Sequence, residues 1–341
     1  MELQSTNVLK KFLSSAQKNA EEKNVCFKRI ETNTPVELKE HSQIMIGENY
    51  FLNSYNPKIR EALRTKDEIT IGSSKDCDIV VPAFHDGVKK EHLKIFKNKA
   101  SLFLRRLHSD GETKLISQDK IRPFYLGTKN INLGQENIGD CYLLSTIRAL
   151  SQTDWGANAI KEMVQIDKNG NYIVTFKNKP PITVTIDELN GENDKILVSS
   201  ELGVKAIERA YGKIAKNNFR ESNTVFLNKG GLMDTALKTM TGLDSQYYSP
   251  KQNDIETILN NISAQGCNNY ILTCGTINKG WMYTSTNKKF FSGHAYTIKN
   301  IDNKNKTIEI INPHNTKKSQ TISWNEFSEN FSCLYVAKVP N

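Results

Sequence analysis

Cysteine is scarce in this chain of 341 residues: Cys26, Cys77, Cys141, Cys267, Cys274 and Cys333 are all there is. Six thiols so widely spaced make no disulfide scaffold, and the lack of any C-x-x-C pair argues against a structural zinc site. Reduced thiols in a cytoplasmic protein are the expectation. No apolar run approaches the ~20 residues needed to span a bilayer. The opening segment, MELQSTNVLKKFLSSAQKNAEEKN, lacks the continuous apolar stretch and small-residue cleavage site of a Sec leader. The six histidines form no H-E-x-x-H spacing. No loop follows the D-x-[DN]-x-[DN]-G calcium pattern either, so neither a metal nor another cofactor is expected and calcium independence is anticipated.

What is present is an ordinary globular composition, 38% apolar and 24% charged, which excludes wholesale disorder. The length suggests two domains with an extra arm. Lysine and arginine number 46 against 37 acidic residues, a formal charge of +9. These basic residues are spread along the chain among asparagines rather than gathered on one face with aromatics. Solvated surface lysine, not a nucleic-acid interface, is therefore the reading. A monomer is expected.

Three regions follow from texture. Residues 1–44 read as a polar arm, with Val8, Phe12 and Ala16 spaced for a short amphipathic helix. Residues 45–125 alternate with a period of two: Ile69–Gly72, Cys77–Val81, then His92–Phe96 and Ala100–Leu104 about a hairpin-like turn, which suggests a β-sandwich. From residue 126 the spacing changes. Cys141–Leu150 places apolar residues at helical intervals, Glu201–Ile214 does the same, and a third helix is expected at Ile255–Ile262. Strand patterns at Tyr172–Phe176, Ile182–Ile186, Tyr270–Thr273, His294–Ile298, Thr307–Ile311 and Cys333–Ala337 make residues 126–341 an α+β unit with a helical first half and a β-rich second half.

Chemistry concentrates in Gly134-Gln-Glu-Asn-Ile-Gly-Asp-Cys141. A cysteine on the first turn of a helix meets exposed N–H groups and the positive end of the helix dipole, which favour thiolate. Gly139 leaves room for a carbonyl to approach. Gln135 stands where its side-chain amide can converge with the Cys141 N–H, and two such donors form an oxyanion hole worth ~3–4 kcal/mol per donor.

The pattern Q-x-x-x-G-D-C-[WY]-L-L resembles the nucleophile segment of the calpain-type cysteine peptidases, a papain-like family. Gly293-His294-Ala-Tyr is similar to the family's segment bearing the catalytic histidine. Ile311-Asn312-Pro313 is similar to the segment bearing the orienting asparagine. Glu201–Ile214 and Gly230-Gly231 agree as well. The resemblance spans roughly residues 133–337. It implies a papain-like two-lobed domain, a Cys141–His294–Asn312 triad with Gln135 as oxyanion donor, and a protein or peptide substrate bound between the halves. The tryptophan usual after Asn-Pro is replaced by His314. That leaves Trp324 or Trp281 to shield the His–Asn pair, with His314 a neighbour of the site rather than a second base.

The segment Ile69-Thr-Ile-Gly72-Ser73-Ser74, with Cys77-Asp-Ile-Val-Val-Pro82, Val88–His92 and Ser109–Thr113, resembles a forkhead-associated (FHA) domain. That resemblance implies a protein partner and a phosphothreonine site at Ser73, Lys89, Lys90 and Asp110. Here Ser73 replaces the family's arginine, Lys89 its serine and Asp110 its asparagine. His92 is expected to brace the loops. The combined reading is a cysteine endopeptidase with a degenerate FHA-like module, an effector delivered into a host cell without a Sec leader. The alternatives are a binding module with an inactive papain-like half, or a deamidase or transglutaminase using the same triad.

Overall fold

The computed structural model describes residues 28–39, 42–47, 50–54, 56–81, 87–117, 121–124, 127–136, 138–189, 198, 200–215, 227, 230–280 and 289–340. The helix expected at Val8–Ala16, and Trp281, lie outside the described residues. The chain divides into two compact units, Met1–Tyr125 with Ile166–Asn171, and Leu126–Gln165 with Tyr172–Asn341.

In the first unit the strands β1 (Lys28–Arg29), β2 (Val36–Leu38), β3 (Gln43–Ile46) and β4 (Tyr50–Asn53) precede helix α1 (Pro57–Thr65). After it come β5 (Glu68–Gly72), β6 (Ile79–Val80), β7 (Leu93–Asn98), β8 (Ser101–Arg106) and β9 (Thr113–Ile116). They form two sheets, ordered β1-β9-β3-β4 and β2-β8-β7-β5-β6. Alternate residues of both sheets, Ile44, Ile46 and Leu52 from one and Ile69, Ile71, Leu93, Ile95 and Leu104 from the other, share a single core. This is the inward-facing set that period-two patterning requires of a sandwich. Among the described residues strands are already present from Lys28, inside the stretch read from sequence as a polar arm, where Ile30 and Leu38 are buried in that same core. Helix α1 starts where the Asn56 Oδ1 accepts the Lys58 N–H at 2.8 Å. Pro57 sits at its first turn, and Ile59 and Leu63 turn one face into the core.

Gly72, at the end of β5, is where the loop before β7 crosses closest. The Ser73 and Ser74 N–H groups donate to the Lys89 and Lys90 carbonyls, both at 2.9 Å. A Cβ at residue 72 would drive into the Lys90 carbonyl.

The second unit opens with α2 (Cys141–Leu150), α3 (Asp154–Met163), β10 (Val164–Ile166), β11 (Tyr172–Val174), β12 (Ile182–Val184), α4 (Ile186–Leu189), α5 (Leu202–Ala215) and α6 (Met233–Thr241). Its remainder is β13 (Gln246–Tyr248), α7 (Ile255–Gln265), β14 (Tyr270–Thr276), β15 (Ala295–Asp302), β16 (Thr307–Ile311), β17 (Ser319–Ser323), α8 (Trp324–Asn330) and β18 (Phe331–Lys338). The late strands make a six-stranded sheet ordered β13-β18-β14-β15-β16-β17. Ile255, Leu259 and Ile262 of α7 and Trp324 and Phe327 of α8 cover it, sharing a core with Ile298, Ile310 and Phe331. Helix α8 is fixed at its start by a reciprocal Ser323–Glu326 capping box. The chain is thus mixed α+β. Among the described residues no helix is long and apolar enough to cross a membrane.

Replacing Gly72 by alanine should cost about 1–3 kcal/mol, the usual penalty of forcing atoms into occupied space. The check is the urea midpoint of the intact chain; an unchanged midpoint would contradict the close approach at Lys90.

Candidate active site

Helix α2 lies against the sheet because its buried face, Leu143, Leu144 and Ile147, is apolar. A buried hydrogen bond from the Thr297 hydroxyl of β15 to the Ser145 carbonyl, 2.7 Å, fixes its placement. The Cys141 thiol at its first turn is half-buried and free. It receives the backbone N–H of Ala295, the residue that follows His294. Asp140 occupies the N-cap position yet makes no capping hydrogen bond. The N–H groups of Leu143 and Leu144 go instead to its backbone carbonyl.

The expectation that the helix start lowers the thiol pKa needs correction. Burial pushes Cys141 above its ordinary value, and the negative charge of Asp140 adds to this, outweighing the N–H groups of Ala295 and Tyr142. Desolvation of the charged form exceeds the helix-end effect. The resting thiol is therefore protonated.

His294 sits at the entry to β15, held by its own N–H donating to the Thr276 hydroxyl at 2.9 Å. Asn312 follows β16. The Asn312 Oδ1 accepts the His314 backbone N–H at 3.0 Å, which fixes the oxygen end of that amide. The His294 Nε2 lies 2.9 Å from the same oxygen and must carry the hydrogen that it donates. Nδ1 is left as the basic nitrogen. The ring is only 8% exposed. Burial pushes it down to about 4, against the Asn312 hydrogen bond and aided by the neighbouring His314.

Of the two expected tryptophans, Trp324 is not the shield over this pair. Trp324 is buried in the sheet core and donates its indole N–H to the Thr307 carbonyl at 3.3 Å. His314 itself stacks on His294, with ring centroids 5.1 Å apart and planes within 8°. Its Nδ1–H donates to the Gln135 carbonyl at 3.1 Å. Phe291 and Tyr296 close two more sides, with centroids 5.5 and 5.0 Å from the His294 ring.

Gln135 is buried in the loop before α2. Its N–H donates to the Pro313 carbonyl at 2.7 Å, and its side-chain Nε2 donates to the Ile138 carbonyl, also 2.7 Å. The expected oxyanion donor thus has one amide hydrogen already committed. Beside it a groove of about 480 Å³ is lined by Gln135, Gly139, Cys141, Gly231, His294 and His314. Gly231 is required there, since a Cβ would come within 2.6 Å of the Tyr142 ring. Among the described residues, no three His, Cys, Asp or Glu side chains are grouped as metal ligands would be.

Sequence reasoning passed over Phe291, Tyr296 and the Ala295 N–H, and treated the Glu201–Ile214 helix as free of chemistry. The Phe290-Phe291 pair just upstream of Gly293-His294 was the available signal for the aromatic box. Nothing in the pattern of α5 announces that Lys205, Glu208 and Arg209 are buried.

The FHA-like loops also meet. Lys89 and Asp110 form an ion pair at 2.6 Å, which holds the Asp110 carboxyl below its usual range. The Lys89 charge is thereby already matched. Ser73 adjoins them through its backbone, while Lys90 is exposed. His92 braces the loops as its burial suggests: its Nδ1 accepts the Lys89 N–H at 3.1 Å. Its Nε2 then donates toward the Glu112 carbonyl and the Thr113 hydroxyl, each at 3.0 Å.

Comparison with known families gives two matches. The family model for calpain family cysteine protease matches residues 106–336, and that for the FHA domain matches residues 69–131. No curated protein matches the chain. With more than half its length matched, the chain belongs to the calpain family of cysteine proteases, with an FHA domain on the N-terminal side.

Proposed function

We propose that the chain is an endopeptidase that cleaves protein substrates through Cys141, His294 and Asn312 on a papain-like two-lobed scaffold. The observation that carries this reading is the hydrogen bond from His294 Nε2 to Asn312 Oδ1. It leaves Nδ1 as a base on the same groove as the Cys141 thiol.

In the proposed reaction an extended peptide lies in the groove beside Gly231. His294 Nδ1 takes the thiol proton as Cys141 Sγ attacks the scissile carbonyl, so no thiolate has to persist in a dry site. The tetrahedral oxyanion is met by the Cys141 N–H and the second hydrogen of the Gln135 amide. Collapse breaks the C–N bond, and His294 returns the proton to the leaving amine. A water activated by the same imidazole then hydrolyses the thioester, regenerating the thiol. The FHA domain supplies a second protein contact, and the Lys89–Asp110 pair favours a partner recognised without a phosphate.

Cys141→Ala should abolish cleavage while leaving the urea midpoint within error, and His294→Ala should lower kcat roughly 10²–10⁴-fold. Retained turnover in Cys141→Ala would reject the reading.

The pH dependence has a defined sign. With its value pushed below the ordinary 6.5, to about 4, His294 stays neutral through the mildly acid range. It loses its basicity only when protonated near pH 4. The acid limb of kcat/KM should accordingly lie near 4; a limb near 6.5 would contradict a desolvated imidazole.

Removing the stacked ring should reverse part of that shift. His314→Ala admits water to His294 and should move the acid limb upward toward 6.5, with kcat at neutral pH reduced roughly tenfold or less. An unmoved limb would show that His314 is no shield.

A further inference from the structure

Directly beneath the nucleophile lie two carboxyl groups that the proposed mechanism does not use. Asp140 and Glu208 are each 1% exposed, and their side chains are within hydrogen-bonding reach of one another. Glu208 Oε2 accepts the Val198 N–H at 2.8 Å. Both Asp140 oxygens and Glu208 Oε1 are buried without a hydrogen bond of good geometry among the described residues, the donors beside Asp140 being the Gln135 amide and its own backbone N–H. Two buried carboxyls that face each other repel when both are ionised, and one proton between them relieves that. Aspartate at an N-cap normally turns outward to accept an N–H of the first turn; here it makes no such bond.

We propose that Asp140 and Glu208 are positioning residues. One proton shared between their carboxyls holds the Asp140 side chain inward, off the first turn of α2, and weakens its pull on the adjoining Gln135 amide. The Cys141 N–H and the second Gln135 hydrogen then stay available to the substrate oxyanion. This rests on the peptidase reading given above.

The Gln135 amide adjoins Asp140 and favours its charged form, so a fully ionised Asp140 competes with substrate for that hydrogen. Burial holds both carboxyls above the usual carboxylate range, Asp140 at about 7, so the pair keeps a proton where ordinary carboxylates have lost theirs. Lys205 and Arg209 of α5 face Glu208 with positive charge, Glu136 faces Lys205, and Cys141 and Tyr142 of α2 face Asp140. Burial pushes Lys205 down to about 8, so it titrates in the same alkaline window. It is retained in every variant below, and differences between variants report on the pair.

The test compares the full chain with Glu208→Gln and Glu208→Ala. Glutamine keeps the acceptor for Val198 and gives Asp140 a permanent N–H donor in place of the proton. Unfolding the wild type near pH 7 should release about one proton more than unfolding Glu208→Gln, read from the pH slope of stability in urea. Loss of the pair's proton should lower wild-type kcat on the alkaline side, and Glu208→Gln should move that fall upward by about one pH unit or more. Glu208→Ala should lower kcat about tenfold or more with KM changed less than about twofold, the mark of a contact made only in the transition state. Equal proton release in wild type and Glu208→Gln overturns the shared proton. An unmoved alkaline limb, or a KM raised as much as kcat falls, overturns the positioning role. If Glu208→Ala does not fold, the glutamine variant still decides both points. The proton count needs no substrate, so a chain that cleaves nothing would sink the peptidase reading while leaving the pair tested.

Discussion

The site depends on stitching together two loops that are almost the full length of the second unit apart in sequence. The Thr316 hydroxyl accepts the Leu133 N–H at 2.7 Å and donates to the Leu133 carbonyl at 2.9 Å. The Gln135 N–H reaches the Pro313 carbonyl, and His314 returns a bond to the Gln135 carbonyl. These contacts, all buried or half-buried, set the Gln135 loop against the Asn312 loop. With the Thr297–Ser145 bond they bring the start of α2 to the entry of β15. Buried polar groups left without partners would cost about 1–3 kcal/mol each, so the register is strongly enforced. Cys141 and His294 come to line one groove through backbone complementarity rather than any attraction of their own.

That burial has an electrostatic consequence. Desolvation raises the thiol and lowers the imidazole, so in the proposed reaction a neutral thiol and imidazole separate charge only as substrate is attacked. Aromatic rings from Phe291, Tyr296 and His314 maintain the dryness. The same dryness under α2 makes the Asp140–Glu208 pair hold a proton. One low-dielectric region thus encloses both the His294 imidazole and the turn that carries Cys141.

Much of this was legible in the sequence. Helix α2 showed in the apolar spacing of Cys141–Leu150, α5 in Glu201–Ile214, and β16 in Thr307–Ile311 at its observed bounds. Local period and composition set such elements. What escaped was set by tertiary context. Strand β3 is buried at all four residues and so has no alternation to read. Helix α1 is a short segment signalled only by Asn56-Pro57. The charges of α5 look like a solvated face in sequence but are enclosed in the fold. The missing tryptophan was filled by the very residue that replaced it, because His314 is anchored at both its backbone N–H and its Nδ1.

The central claim is that Cys141 shares an open groove with an imidazole that acts as its base. Treating the intact chain at neutral pH with a peptidyl epoxide and locating the adduct by mass spectrometry tests it most directly. Modification should occur at Cys141 ahead of the other five cysteines and should be lost in His294→Ala. Equal labelling of several thiols, or labelling of Cys141 that persists without the imidazole, would contradict it.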